Sequence, residues 1–202
     1  MTPPLRTITV LGAGSRGLAV CLLAARAGYP TVLEDISGQR EDLARDRIRA
    51  LAASQARAEG LSSGQVEEWL DRVKPENSLD RAVANADLVI EAVPDDLETL
   101  VEVYTLIDKA APPGCVFAST TPAFSIAEIA ALTYRPAQVL GMRFPALPVQ
   151  SQELVMVIGR ETSEETVCRT EQVGLRMGKK LSRVQESPGP AVFRLQEHGT
   201  RS

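Results

Sequence analysis

With 202 residues, 44% hydrophobic and 24% charged, the chain is long enough to bury one core without disulfides or a structural metal. A net charge of −4 with no basic cluster gives no electrostatic footprint for nucleic acid, and the longest apolar run, Leu18–Ala25, is too short to cross a membrane. The amino-terminal MTPPLRTITVLGAG has neither the basic start nor the long apolar centre of a secretory signal, and Cys21, Cys115 and Cys168, widely spaced in apolar or helical contexts, read as buried free thiols of a cytoplasmic protein without a metal-binding spacing.

Strand-like and helical segments then alternate along the chain. RTITVL predicts a buried strand that breaks at Gly12, and SRGLAVCLLAARAG a helix closed by Gly28 ahead of Pro30. TVLED is the next strand. SGQREDLARDRIRALAASQARAEG is a charged helix with Leu43, Ile48 and Leu51 on one stripe and Gly60 at its end. SSGQVEEWLDRV opens a further helix, with Ser62 and Gln65 at capping-box spacing. DLVIEAV is a nearly all-apolar run of the kind that parallel sheets bury on both faces. DDLETLVEVYTLIDKAA is a helix whose acidic start suits the positive end of its dipole. CVFAST and QVLGMRF are strands on either side of SIAEIAAL, capped by Ser125 and Glu128. LVMVIG precedes the helix SEETVCRTEQVGLRMG, for which Thr162 and Glu165 form the capping box, and KLSRV closes the series. The alternation predicts one α/β domain over residues 1–190, a doubly wound, mostly parallel sheet, with 191–202 a short tail.

Gly12, Gly14 and Gly17 satisfy GxGxxG between a predicted strand and a predicted helix, the context that a Rossmann-type dinucleotide loop requires. Gly12 permits the tight turn, Gly14 lets the backbone approach a pyrophosphate, and Gly17 lets helix and strand pack closely. The N–H groups of the helix start, at Ser15 and Arg16, and the helix dipole favour the phosphate charge. Asp35, ending the second strand, is placed to accept hydrogen bonds from the adenosine ribose and to repel a 2′-phosphate, which favours NAD over NADP; Arg16 and Arg40 stand near enough to soften that preference. Arg16 has a second reading, as a long cation that fills the phosphate site itself.

These residues resemble one family, the NAD-binding domain of the 3-hydroxyacyl-CoA dehydrogenases. TVLGAGSRG, LED, ADLVIEAVPDDLE, FAST with FSIAEIA, RPAQVLGMRF and GKKLSRVQESPGPAVFRL follow in the family's order over residues 5–195. The resemblance implies an NAD-dependent oxidoreductase of fatty acid metabolism, with Ala92, Asp95 and Thr120 joining Gly12, Gly14, Ser15, Arg16, Gly17 and Asp35 at the cofactor. It also implies a histidine base in a GxHFFNP-like segment, oriented by a glutamate in an LVEV-like strand, with a serine and two asparagines holding substrate and nicotinamide. Position by position, those groups are replaced. Arg143 in GMRFPALP stands at the histidine and Met156 in LVMV at the glutamate; Thr120 and Pro122 replace the asparagine and serine of an SNTS-like run. Pro145 and Ala146 occupy the neighbourhood of the asparagine after the histidine, Phe193 the late asparagine, and Leu100 a lysine beside the cofactor. The single histidine, His198, is a tail residue. Family members continue into a helical domain that forms the dimer and covers the acyl-CoA site. This sequence stops soon after PGPAVFRL, so the expectation is that the helical domain is missing and that self-association or a partner protein covers the exposed surface.

Three readings follow. One is an NAD(H)-binding pseudoenzyme with no catalytic residue. Another is an active oxidoreductase on a hydroxyacyl-CoA or other anionic hydroxy substrate. There Arg143, which cannot act as a base, clamps an anionic or acyl-CoA-like ligand, and water, Tyr104, Tyr134 or Lys179 moves the proton. The plainer role for Arg143 is pairing with a surface acid or snorkelling from a strand end. The third reading is an interaction protein that binds no cofactor.

Overall fold

A computed structural model describes residues 3–35 and 41–186; Arg40, Phe193, His198 and the predicted tail lie outside the described residues. Eight strands are present: β1 (Ile8–Leu11), β2 (Thr31–Glu34), β3 (Val73–Glu76), β4 (Leu88–Glu91), β5 (Val116–Ser119), β6 (Val139–Arg143), β7 (Glu153–Ile158) and β8 (Lys180–Gln185). The helices between them are α1 (Ser15–Arg26), α2 (Glu41–Glu59), α3 (Ser63–Leu70), α4 (Leu79–Val83), α5 (Leu97–Ala110), α6 (Ile126–Ala130) and α7 (Glu164–Arg176). The strands form one sheet in the order β3-β2-β1-β4-β5-β6-β7-β8, parallel throughout except where β7 runs against β6. The chain builds outward from β1 to β3, returns to β4 beside β1, and continues the other way. Open α/β sheets bind their ligands at this reversal, past the carboxyl ends of the strands.

Period-two alternation sorts the strand side chains between two helical layers. Val10, Ile90, Leu140, Met142, Leu154 and Met156 belong to a core with α1, α2 and α7. Leu11, Val89, Phe117, Val139, Val155 and Val157 belong to a second core with α5 and α6. Helix α1 is buried from Gly17 to Ala25 because α2 and α3 pack outside it, Leu22 meeting Ala52, Ala56, Val66 and Trp69. That wrapping accounts for the apolar run Leu18–Ala25. Among the described residues no helix is long and apolar enough to cross a membrane, and no cluster of His, Cys, Asp and Glu suits a metal ion.

Three local expectations are corrected. The helix opened by Ser62 stops at Leu70, and VKPE is a strand. As the outermost strand, β3 pairs only with β2, an edge position at which Pro75 is tolerated. The short helix α4 gave no periodic signal. Helix α7 is capped by Ser163, which accepts from Thr166 N; the Thr162 hydroxyl instead donates to Val139 O at 2.6 Å and accepts from Gly159 N at 3.0 Å. Finally, Cys21 and Cys115 are buried as expected, but Cys168 is exposed on α7.

Candidate functional site

Where β1 ends, the backbone turns through Gly12 with φ +98°, a left-handed conformation that favours glycine. A Cβ there would stand 2.7 Å from Ala92 O at the end of β4. A Cβ on Gly17 would stand 1.8 Å from Gly12 O, so only glycine lets α1 start this close to the loop. Gly14 differs, for a Cβ there meets no heavy atom within 4 Å. Gly14 is also the N-cap of α1; no side chain caps the helix and no acidic residue stands in its first turn. The first N–H groups of a helix have no partner within it, and here they face open space, as an anion-binding helix start does.

A cleft of about 560 Å³ opens above this loop, within the roughly 300–1,000 Å³ typical of cofactor pockets. It brings together Gly12, Gly14, Ser15, Arg16, Asp35, Ala92 and Asp95 of the predicted residues. Gly17 lies buried beneath the loop rather than in the wall. Thr120 follows the carboxyl end of β5, its N–H donating to Glu91 O at 3.0 Å, and is buried outside the cleft with no partner for its hydroxyl. Sequence reasoning missed Arg47 and Thr99, which also line the cleft. Arg47 carried no motif and reads as one more cation on a charged helix. Thr99 is placed by the cap of α5, donating its N–H to Asp96 Oδ1 at 2.9 Å.

Beside the cleft, the carboxyl ends of β4, β5 and β6 carry Glu91, Ser119 and Arg143, all buried and all on the α5–α6 side of the sheet. Ser119 Oγ donates to Glu91 Oε2 and Val93 N to Glu91 Oε1, both at 2.8 Å. Arg143 is 7% exposed and donates from Nη1 to Ser119 O at 2.6 Å and from Nη2 to Phe124 O at 3.4 Å. Burial pushes the Glu91 carboxyl up to about 7, opposed by the Ser119 and Val93 donors and by the charge of Arg143. Burial lowers Arg143 to about 10, opposed by Tyr104, Glu91, Asp95 and Glu186, and it stays cationic at neutral pH. Tyr104 on α5 completes the group, its hydroxyl buried and unpartnered, and burial raises its pKa well above the ordinary phenol value. Arg143 is therefore no surface residue.

The β6–β7 register pairs Arg143 with Val155 and Met142 with Met156. Met156 thus points into the opposite core, and the β7 side chain flanking Arg143 is Val155. The sequence match of Met156 to an orienting glutamate does not place it beside Arg143. Tyr134 is 98% exposed, and Lys179 is spent on Pro148 O at 2.7 Å and Ser151 O at 2.6 Å. Neither residue, nor Tyr104, lines the cleft.

The glycine cradle, the uncapped start of α1 and the acid after β2, gathered at the sheet reversal, define a dinucleotide-binding domain. Residues 7–187 match the family described as "3-hydroxyacyl-CoA dehydrogenase, NAD binding domain". The chain is 33% identical over 186 residues to the Bacillus subtilis protein named "Probable 3-hydroxybutyryl-CoA dehydrogenase", covering 92% of this chain and 64% of that one. It is 32% identical to the 3-hydroxyadipyl-CoA dehydrogenase of Escherichia coli, covering 94% of this chain and 40% of the relative. The crystal structure of (S)-3-hydroxybutyryl-CoA dehydrogenase from Ralstonia eutropha superposes with a TM-score of 0.84 at 28% identity, over 93% of this chain and 66% of that one. The chain belongs to the 3-hydroxyacyl-CoA dehydrogenase family through its NAD-binding domain, and NAD is its cofactor. It spans less than two thirds of the length of these curated relatives.

Proposed function

We propose that this chain holds NAD(H) without the histidine-based hydride transfer of its family. Its residues fit the cofactor. The N–H groups of Ser15, Arg16 and Gly17 beside Gly14 would hold the pyrophosphate, Asp35 would accept from the adenosine ribose, and Ala92, Asp95 and Thr120 would serve the rest of the cofactor. Bound NAD would supply the hydride acceptor.

Arg143 carries the argument for lost transfer. Its guanidinium is committed to the main-chain carbonyls of Ser119 and Phe124 and lies within electrostatic reach of Glu91. A permanent cation cannot remove a hydroxyl proton, and this one is held back from the cleft, which also weighs against a clamp for an anionic substrate. The test pairs calorimetric titration of the chain with NADH and a spectrophotometric assay with NAD and 3-hydroxybutyryl-CoA. Binding without NADH production is expected. Sustained NADH production would overturn the loss of transfer, and an absence of NADH binding would overturn the cofactor site.

A further inference from the structure

Two acids stand in succession at the carboxyl end of β2, in different surroundings. Asp35 lines the cleft, whereas Glu34 is 3% exposed and its Oε2 is buried without a partner. The register sets Glu34 beside Leu11 of β1, so it belongs to the face of the sheet that α4 and α5 cover. On its other side it stands against Glu76 of β3, a second buried acid. Glu76 is well supplied with donors. Arg81 of α4 reaches its Oε1 from Nη2 at 2.7 Å and from Nε at 3.1 Å, and the N–H groups of Asn77 and Ser78 bond to the same oxygen. Lys74 stands 3.8 Å from Glu76 Oε2. Asp80, the other charged residue of α4, is exposed, and α5 adds Leu100 and Val103 to this layer. Burial, the charge of Asp35 and that of Glu76 together push the Glu34 carboxyl up to about 7.

Glu34 is joined to the cleft on both sides. Its carbonyl accepts from Gly12 N at 2.8 Å, and Asp35 follows it in the chain; Gly12 and Asp35 both line the cleft. The charged residues of the cleft balance, Asp35 and Asp95 against Arg16 and Arg47, so no excess cation there offsets a further anion. A diphosphate at the start of α1 brings negative charge to this floor. A neutral Glu34 leaves that charge undisturbed. An ionised Glu34 adds repulsion in a buried setting, where charges act more strongly than in water. Nucleotide and proton then favour each other's binding, each by the same factor.

We propose that Glu34 makes dinucleotide binding pH-sensitive, its neutral form admitting the nucleotide and its ionised form opposing it. The inference rests on the dinucleotide reading above and concerns the regulation of that site. Calorimetric titration with NADH at about pH 6 and about pH 8, in buffers of different ionisation enthalpy, tests it. If the bound nucleotide raises the carboxyl by about one further unit, affinity falls about fivefold between the two pH values. Binding near pH 7.5 then takes up about half a proton. Glu34→Gln should bind NADH equally at both pH values and take up no proton. Glu34→Leu should do the same, which guards against one variant that folds poorly, and the proton uptake of the unmodified chain needs no variant at all. Glu91→Gln should keep the pH dependence, since Glu91 already has the Ser119 and Val93 donors and the charge of Arg143. Equal NADH affinity at the two pH values without proton uptake refutes the proposal. So does a pH dependence that survives in the Glu34 variants or vanishes in Glu91→Gln. If NADH binds at neither pH, the cofactor site itself is refuted, and this inference with it.

Discussion

Replacing Arg143 by methionine removes the guanidinium and keeps an unbranched stem in the core. Three charge-assisted bonds are lost, of which the one to Ser119 O at 2.6 Å is strong and those to Ser119 Oγ and Phe124 O, both at 3.4 Å, are marginal. Together they account for about 2 kcal/mol. The remainder of the effect passes through Glu91. Its carboxyl already lies at about 7 against an ordinary 4.5, and Arg143 is one of the groups opposing that rise, so it climbs further in the variant. Each added unit corresponds to about 1.4 kcal/mol. Near pH 5 Glu91 is protonated in both folded proteins, and only the lost hydrogen bonds separate them. Above pH 7 the variant must either bury a carboxylate without the nearby cation or hold on to its proton, and the loss grows by about 1.4 kcal/mol for each unit by which Glu91 rises. Urea unfolding followed by circular dichroism at about pH 5 and about pH 8 should show the larger loss at the higher pH, and a Glu91→Gln background should abolish the difference. Equal losses at the two pH values would refute the coupling between Glu91 and Arg143.

Gly14→Ala and Gly17→Ala should separate binding from folding. The Gly17 variant drives a methyl into Gly12 O and should cost about 3 kcal/mol in thermal or urea unfolding, whereas the Gly14 variant meets open space, folds normally and loses NADH affinity by about tenfold in titration. The unmodified chain should lose stability as pH rises from about 4.5 through 7, because Glu34 and Glu91, each raised from 4.5 to about 7, bind their protons more tightly when folded. A melting temperature that rises between about pH 6 and pH 8 would contradict that sign. Of the three cysteines, only Cys168 should react with a thiol reagent before unfolding. Burial pushes the Cys115 thiol up to about 12 and raises Cys21 as well, so rapid labelling of all three in the native protein would refute the buried assignments.

Much of the fold was legible because it rests on short-range signals. The break of β1 at Gly12, the caps at Ser62 and Ser125, and the apolar runs of β4 and β5 each state locally what the tertiary structure confirms. The strand β3 was not legible, since VKPE carries a lysine, a proline and a glutamate, and its place is set by parallel pairing with β2. Seven of the nine predicted cofactor residues line one cleft because the glycine motif and the acid after β2 are fixed by local geometry. Arg47 was invisible for the opposite reason. Its place in the wall depends on how α2 packs against α1, α3 and β3, a relation with no sequence period of its own.

Register sets which groups surround position 143 at the strand ends. Glu91, Ser119 and Arg143 end three neighbouring strands and face the same helical layer, so Arg143 lies beside Ser119 and within electrostatic reach of Glu91. An imidazole there would have the choice of gaining or losing a proton. A guanidinium is longer and always charged, so once buried it must be neutralised and its donors satisfied. The carbonyls of Ser119 and Phe124 take donors from its two terminal nitrogens while Nε stays buried without a partner, and the nearby negative charge comes from Glu91, Asp95 and Glu186 because β7 offers only Val155 across the pair. The arrangement fixes a charge where family members are expected to move a proton. Arg143 itself does not reach the glycine loop, which rests on Gly12, Gly17, the carboxyl ends of β1 and β4, and the bond from Gly12 N to Glu34 O of β2. On the reading proposed above, the glycine loop can hold NAD without hydride transfer at position 143.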